Sequence, residues 1–177
     1  IGEIFYTVGP DVELAADRTD EAMNLATQAF EADAGSAAAA LALSFAAQGK
    51  FDIARAREMA ETAARLAPES AEAQARVAEL RMAQGDIKGA KEAAETAVRR
   101  DPGSARALTV LGFIQLAEFH SAEALRTFEN AVSADPGFPM ARLGYGIASI
   151  RRGEFGPGRE QMQTAASLDP GDSLIRS

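Results

Sequence analysis

The stretch DPGSARALTVLGFIQLAEFHSAEALRTFENAVSADP, residues 101–136, opens and closes on the same Asp-Pro pair, 34 residues apart. Reading outward in both directions, the prolines continue at the same interval, as Pro68, Pro102, Pro136 and Pro170. The residue before a proline is pushed away from helical angles, so each of these prolines is expected to end a helix just before the chain turns into the next segment. A period of this length is that of one helix-turn-helix unit, and the chain therefore reads as a stack of antiparallel helix pairs.

The register can be followed residue by residue. Taking each proline as position 32 gives blocks at 71–104, 105–138 and 139–172 with no insertion between them. Position 8 is then Ala78, Gly112 and Gly146, position 20 is Ala90, Ala124 and Gly158, and position 27 is Ala97, Ala131 and Ala165. Small residues are needed there because the helices of a pair cross with their backbones close together. A change such as Ala97→Leu or Gly112→Val is expected to overpack a crossing at a cost of about 1 to 3 kcal/mol. With Gly85 and Gly153 in the turns and Phe128 and Met162 as apolar plugs at position 24, the pattern resembles the tetratricopeptide repeat family. The resemblance implies an all-α fold, a right-handed α-solenoid of antiparallel helix pairs.

The flanks depart from the pattern. Gly49 to Pro68 is 19 residues where Gly85 to Pro102 is 17, so residues 35–70 are expected to form a repeat with a two-residue expansion near Lys50 to Ala54. Residues 19–33 read as one more second helix, with Ala22, Ala26 and Ala29 at positions 20, 24 and 27 and Ala34 in place of proline. Residues 1–34 thus make an incomplete or irregular repeat. Pro10 falls where a first helix would be in mid-course, so residues 1–9 are expected to be irregular or poorly helical, and a shorter helix to start near Pro10. Residues 173–177 are the first positions of a further, truncated repeat, and together with the absence of an initiator Met they suggest a piece of a longer protein.

Composition sets limits on function. The chain has 177 residues and 47% hydrophobic residues, enough to bury a continuous core. No run approaches the roughly 18 apolar residues that a membrane helix needs, so no direct membrane insertion is expected. Without cysteine there are no disulfides and no thiolate metal sites. The formal net charge is −8 and is concentrated in residues 1–34, which hold one Arg against eight acids. Such a chain gains little counterion-release energy from a phosphate backbone, and nucleic acid is not an expected partner. The Glu13, Asp17, Asp20 and Glu21 group reads as a solvated face that could attract a basic partner.

Catalytic chemistry finds no constellation. His120 is the single histidine and falls in a turn beside Phe119, with nothing at metal-ligand spacing around it. Gly144-Tyr145-Gly146 partly matches a dinucleotide fingerprint but lies inside an expected helix with no strand before it. Neither a catalytic residue, a cofactor nor a metal is expected.

The resemblance implies that the first helix of each repeat lines a concave groove, with ligand contacts from positions 2, 5, 9, 12 and 13. These hold Ser36, Ala39, Leu43, Ala46 and Ala47 in the first block and Glu72, Ala75, Glu79, Met82 and Ala83 in the second. The later blocks hold Arg106, Thr109, Phe113, Leu116 and Ala117, then Met140, Leu143, Ile147, Ile150 and Arg151. The row is mainly apolar. Arg106 and Arg151 alone do not make the cationic clamp by which some members of the family hold a C-terminal carboxylate. The expected groove residues are Leu43, Glu79, Met82, Arg106, Thr109, Phe113, Leu116, Leu143, Ile147, Ile150 and Arg151, and the expected ligand is an apolar or amphipathic polypeptide segment. Replacing Phe113 and Ile147 by Glu is expected to abolish its binding with helicity intact.

The segments TVLGFIQL (109–116), RLGYGIASIRRGEFGPGR (142–159), AASLDPGDSLIRS (165–177) and ALSFAAQGKFD (42–52) are similar to the repeat region of bacterial envelope proteins that carry a FecR-like domain. That resemblance implies a non-catalytic scaffold in the bacterial periplasm or cell envelope, organising other components through protein contacts; a cytoplasmic location is the alternative. A second reading is a structural element that assembles with copies of itself through the open ends of the stack.

Overall fold

A computed structural model describes residues 10–169 of the backbone, and side chains from Arg18 onward. The expectations for residues 1–9 and 173–177 lie outside the described residues. Nine α-helices and no strand occur among the described residues: α1 (Pro10–Ala32), α2 (Ala37–Gly49), α3 (Ile53–Leu66), α4 (Ala71–Ala83), α5 (Ile87–Arg100), α6 (Ala105–Ala117), α7 (Ser121–Ala134), α8 (Pro139–Arg151) and α9 (Phe155–Leu168). They fall into two compact units, Ile1–Leu66 and Ala67–Ser177.

Local chemistry repeats with the period. Ser36, Ser70 and Ser104 precede α2, α4 and α6, and each hydroxyl accepts the backbone N–H three residues on, from Ala39, Ala73 and Ala107. That bond satisfies one of the four donors a helix start leaves open. Ahead of α8 the same place is Phe138, and Pro139 takes the first helical position, where its missing N–H costs nothing. At the other end of the repeat, α3, α5 and α7 stop two residues before Pro68, Pro102 and Pro136. Asp101 and Asp135, the residues before two of these prolines, are extended, and their carboxylates accept the N–H of Gly103 and Gly137 at 2.9 Å.

Two features of the first compact unit differ from the sequence expectation. The start of α2 and the start of α4, Ala37 and Ala71, are one full period apart, so residues 35–70 carry no two-residue expansion. Gly49 misleads because it is the last residue of α2, not the turn. The left-handed turn residue is Phe51 (φ 60°), in line at 34-residue steps with Gly85 (φ 81°), Phe119 (φ 64°) and Gly153 (φ 86°). The second difference is that α1 runs unbroken from Pro10 to Ala32, where a shorter helix followed by a separate one over 19–33 was expected. The sequence between Pro10 and Ala32 contains no further proline and no glycine to stop it.

A bulky residue in the left-handed region is costly, and Phe51 and Phe119 gain little in return, being 89% and 85% exposed. Phe119→Gly is therefore expected to raise stability by about 0.5 to 1 kcal/mol, after the loss of chain entropy that glycine brings. Urea unfolding followed by circular dichroism checks the sign; a lower midpoint would mean that the exposed ring is held by something other than its backbone.

Within the second compact unit the small positions serve as the period implies. A Cβ on Gly146 would lie 2.8 Å from the Gly158 carbonyl oxygen, and one on Gly158 would lie 2.9 Å from that of Gly146, so α8 and α9 cross backbone to backbone. The core between α6, α7 and α8 is filled by Phe128, which is fully buried. Its ring lies where a Cβ on Gly112 or Gly144 would come within 2.7 Å or 2.0 Å. One repeat earlier the corresponding places are Ala94, Ala78 and Val110, all buried, so one large side chain and two glycines stand where that repeat has two alanines and a valine. Gly144 and Gly146 are thus packing residues in mid-helix, not a phosphate-binding turn.

Candidate functional site

The first helices α4, α6 and α8 of the second compact unit lie side by side, each touching the next. Their shared face is where the expected groove residues of that unit fall.

Burial sorts these residues into two groups. Thr109, Leu116 and Leu143 are 4%, 4% and 6% exposed and are part of the core. The Thr109 hydroxyl donates to the Ala105 carbonyl, Leu116 packs with Phe128 and Ala148, and Leu143 packs with Ala165. These three face inward and cannot meet a ligand without unpacking. Met82, Phe113 and Ile147 are half-buried and Ile150 is 36% exposed, so these four carry the accessible apolar surface. Phe113 is also tied to the core: its ring meets Phe128 edge to face, with centroids 5.1 Å apart. Ile147 packs against the clusters around Phe128 and Leu143. Substituting Phe113 and Ile147 by Glu would therefore disturb the core as well as the surface, so a loss of binding on that pair would not by itself report on the groove.

The expected position of Leu43 in the first compact unit is corrected by the register. With α2 starting at Ala37, positions 2, 5, 9, 12 and 13 fall on Ala38, Leu41, Phe45, Gln48 and Gly49. Leu43 is 2% exposed and packs with Ala26 and Met59, whereas half-buried Phe45 falls at the position in register with Glu79 and Phe113.

Two charged residues of the row, Glu79 and Arg106, are joined in one network. Glu79 Oε2 accepts from Arg76 at 3.0 Å and its Oε1 accepts from Arg106 at 2.9 Å, linking α4 to α6. The Arg106 guanidinium in turn lies 5.7 Å from the centre of the Phe138 ring at the start of α8. Arg76 is 2% exposed, and burial pushes its pKa below the ordinary arginine value, with the Glu79 hydrogen bond opposing the shift. Arg151 donates to the Leu116 carbonyl at 2.8 Å and so satisfies an acceptor in the last turn of α6. Both expected groove arginines therefore brace neighbouring first helices. Arg76 and Phe138 are the members that sequence reasoning missed; the available signal was an Arg three residues before Glu79 on a face otherwise apolar.

Away from this face, His120 Nδ1 lies 3.6 Å from Glu118, which accepts from Lys91 at 2.7 Å. Among the described residues no group of His, Cys, Asp or Glu is placed to hold a metal ion, and no helix is long and apolar enough to cross a membrane.

Comparison with known proteins bears on this architecture. One tetratricopeptide repeat model matches residues 45–112 and a second matches residues 120–173. The chain resembles the crystal structure of MamA with a TM-score of 0.63 at 20% identity, over 94% of this chain and 97% of that one. TTC0263, a thermophilic tetratricopeptide protein in Thermus thermophilus, gives 0.77 at 18% identity, over 92% of this chain and 89% of its own. YrrB, a tetratricopeptide protein with an unusual peptide-binding site, gives 0.58 at 20% identity over 94% and 86%. At these identities the likeness is one of fold. No curated protein matches the chain. Helix pairs at a constant period, small residues at their crossings and two repeat models that together span most of its length place this chain in the tetratricopeptide repeat family.

Proposed function

We propose that this chain is a non-catalytic scaffold that holds a partner polypeptide along the α4, α6 and α8 face. The observation that carries the reading is the row of accessible apolar side chains, Met82, Phe113, Ile147 and Ile150, on adjacent helices braced by Glu79, Arg106 and Arg151. A rigid bed of this kind suits an apolar or amphipathic segment, because side chains already held in place lose little further entropy on binding. That YrrB has a peptide-binding site supports the class of ligand. We further propose a bacterial envelope location, supported by the sequence similarity to the repeat region of FecR-domain envelope proteins, with the cytoplasm as the alternative; fractionation of the native organism tests it.

Met82→Glu with Ile150→Glu probes the bed more cleanly than Phe113, since neither side chain is among those packed on the Phe128 cluster. Peptides selected from a random display library on the native chain are expected to lose at least about tenfold in affinity on this double variant, with unchanged circular dichroism. Equal binding to both proteins would place the ligand elsewhere. Oligomers that persist on dilution in light scattering, with no peptide selected, would favour self-assembly instead.

A further inference from the structure

The three helices of the bed carry a surplus of arginine in a chain whose formal net charge is −8. Helices α6 and α8 hold Arg106, Arg142 and Arg151 and no acid, and α4 sets Arg76 and Arg81 against Glu72 and Glu79. Two of these arginines are turned to the second helices, Arg81 donating to the Gly89 carbonyl on α5 and Arg142 to Gln161 on α9. Both oxygens of Glu79 are engaged, Oε2 by Arg76 and Oε1 by Arg106. Glu72 stands in the first turn of α4, at the far end of the face from Arg151, the last residue of α8.

Arg151 is anchored but not neutralised. Its guanidinium donates to the Leu116 carbonyl at 2.8 Å, so the side chain reaches from α8 to the last turn of α6, beside Ile147 and Ile150 of its own helix. It is exposed, and among the described residues no carboxylate is paired with it. The acids near that end are committed elsewhere: Glu118, just past α6, accepts from Lys91 of α5, and Glu154 pairs with Arg152. A guanidinium offers further N–H donors in one plane, a fork that matches a carboxylate, and one already held in place loses little freedom on meeting it. We propose that the segment held on the bed is acidic, an amphipathic stretch whose apolar residues lie on Met82, Phe113, Ile147 and Ile150 and whose side-chain carboxylate is received by Arg151. This inference rests on the scaffold reading above and adds the chemistry of its ligand.

The probes are fluorescent peptides of about 12 residues, acetylated and amidated so that no terminal charge takes part, built from Leu, Ala and Glu with one apolar stripe. Two further peptides carry Gln or Lys in place of Glu. Fluorescence anisotropy with the whole chain is expected to rank Glu above Gln above Lys, with affinity for the Glu peptide falling as salt rises. Arg151→Gln is expected to weaken the Glu peptide by about tenfold and the Gln peptide much less, a difference that loss of the brace to Leu116 alone cannot produce. Urea midpoints measure that brace separately. Arg151→Glu is expected to shift preference toward the Lys peptide. Met82→Ser with Ile150→Ser removes apolar surface without adding charge and is expected to weaken both the Glu and the Gln peptide. If it does so while Arg151→Gln lowers the two affinities equally, the scaffold reading stands and the acidic ligand is overturned. If the serine pair changes nothing, the scaffold reading fails and this inference with it. A Glu peptide bound no more tightly than the Gln peptide by the native chain overturns the proposal, as does binding that needs a free C-terminal carboxylate instead of the Glu side chains.

Discussion

Phe128→Ala is expected to lower stability by about 3 to 5 kcal/mol, among the largest effects of any single change in the second compact unit. The ring is fully buried, meets Phe113 edge to face, and occupies the space that Gly112 and Gly144 leave open. Truncation removes the transfer energy of the ring and leaves a cavity bordered by two glycines, which have no side chains with which to close it. The converse change has its own cost. A Cβ on Gly144 would stand 2.0 Å from the ring, so Gly144→Ala forces Phe128 off its position at about 1 to 3 kcal/mol. The two effects should not add. Phe128→Ala with Gly144→Val restores the pairing found one repeat earlier in Ala94 and Val110, and is expected to recover a substantial part of the loss. Chemical denaturation of the four proteins checks this cycle, and strict additivity would mean that the volumes are not exchanged across one site.

Glu79→Ala is expected to cost about 3 kcal/mol or more, far above the usual value for a charged residue on a helix surface. Arg76 is buried, and the Glu79 carboxylate accepts from it and from Arg106. Removing that carboxylate takes an ion-pair partner from a buried guanidinium and keeps the like charge of Arg106 nearby, which acts to lower the Arg76 pKa. Glu79→Gln keeps an acceptor oxygen and is expected to lose less. Arg106→Ala is expected to cost only about 1 kcal/mol, because its side chain is more than a third exposed and the Arg76–Glu79 pair remains. Urea midpoints of the three variants decide the matter: if Glu79→Ala costs no more than Arg106→Ala, the network is a surface feature and burial of Arg76 has been compensated elsewhere.

The same residues show how far the sequence was readable. Helix ends at Pro68, Pro102 and Pro136 and the Gly146–Gly158 crossing were legible, because proline geometry and close backbone approach act through residue type at fixed spacing. The turn near Lys50 was misread, since the left-handed position there holds Phe51 and a search for glycine settles on Gly49. That slip of two residues put Leu43 on the ligand face and hid Phe45. Thr109, Leu116 and Leu143 were assigned to a groove by position alone, although the structure packs them into the core.

From its residues alone the chain determined a stack of 34-residue helix pairs, small side chains where those helices cross, and an acidic N-terminal segment, since period, residue size and charge are properties of the string. Only the tertiary structure decided which apolar side chains of the first helices stay open and that Arg76 is buried against Glu79. The reason is physical: in a repeat stack a side chain is buried by its neighbouring helices, so equal positions in successive repeats have equal surroundings only where the same neighbours are present.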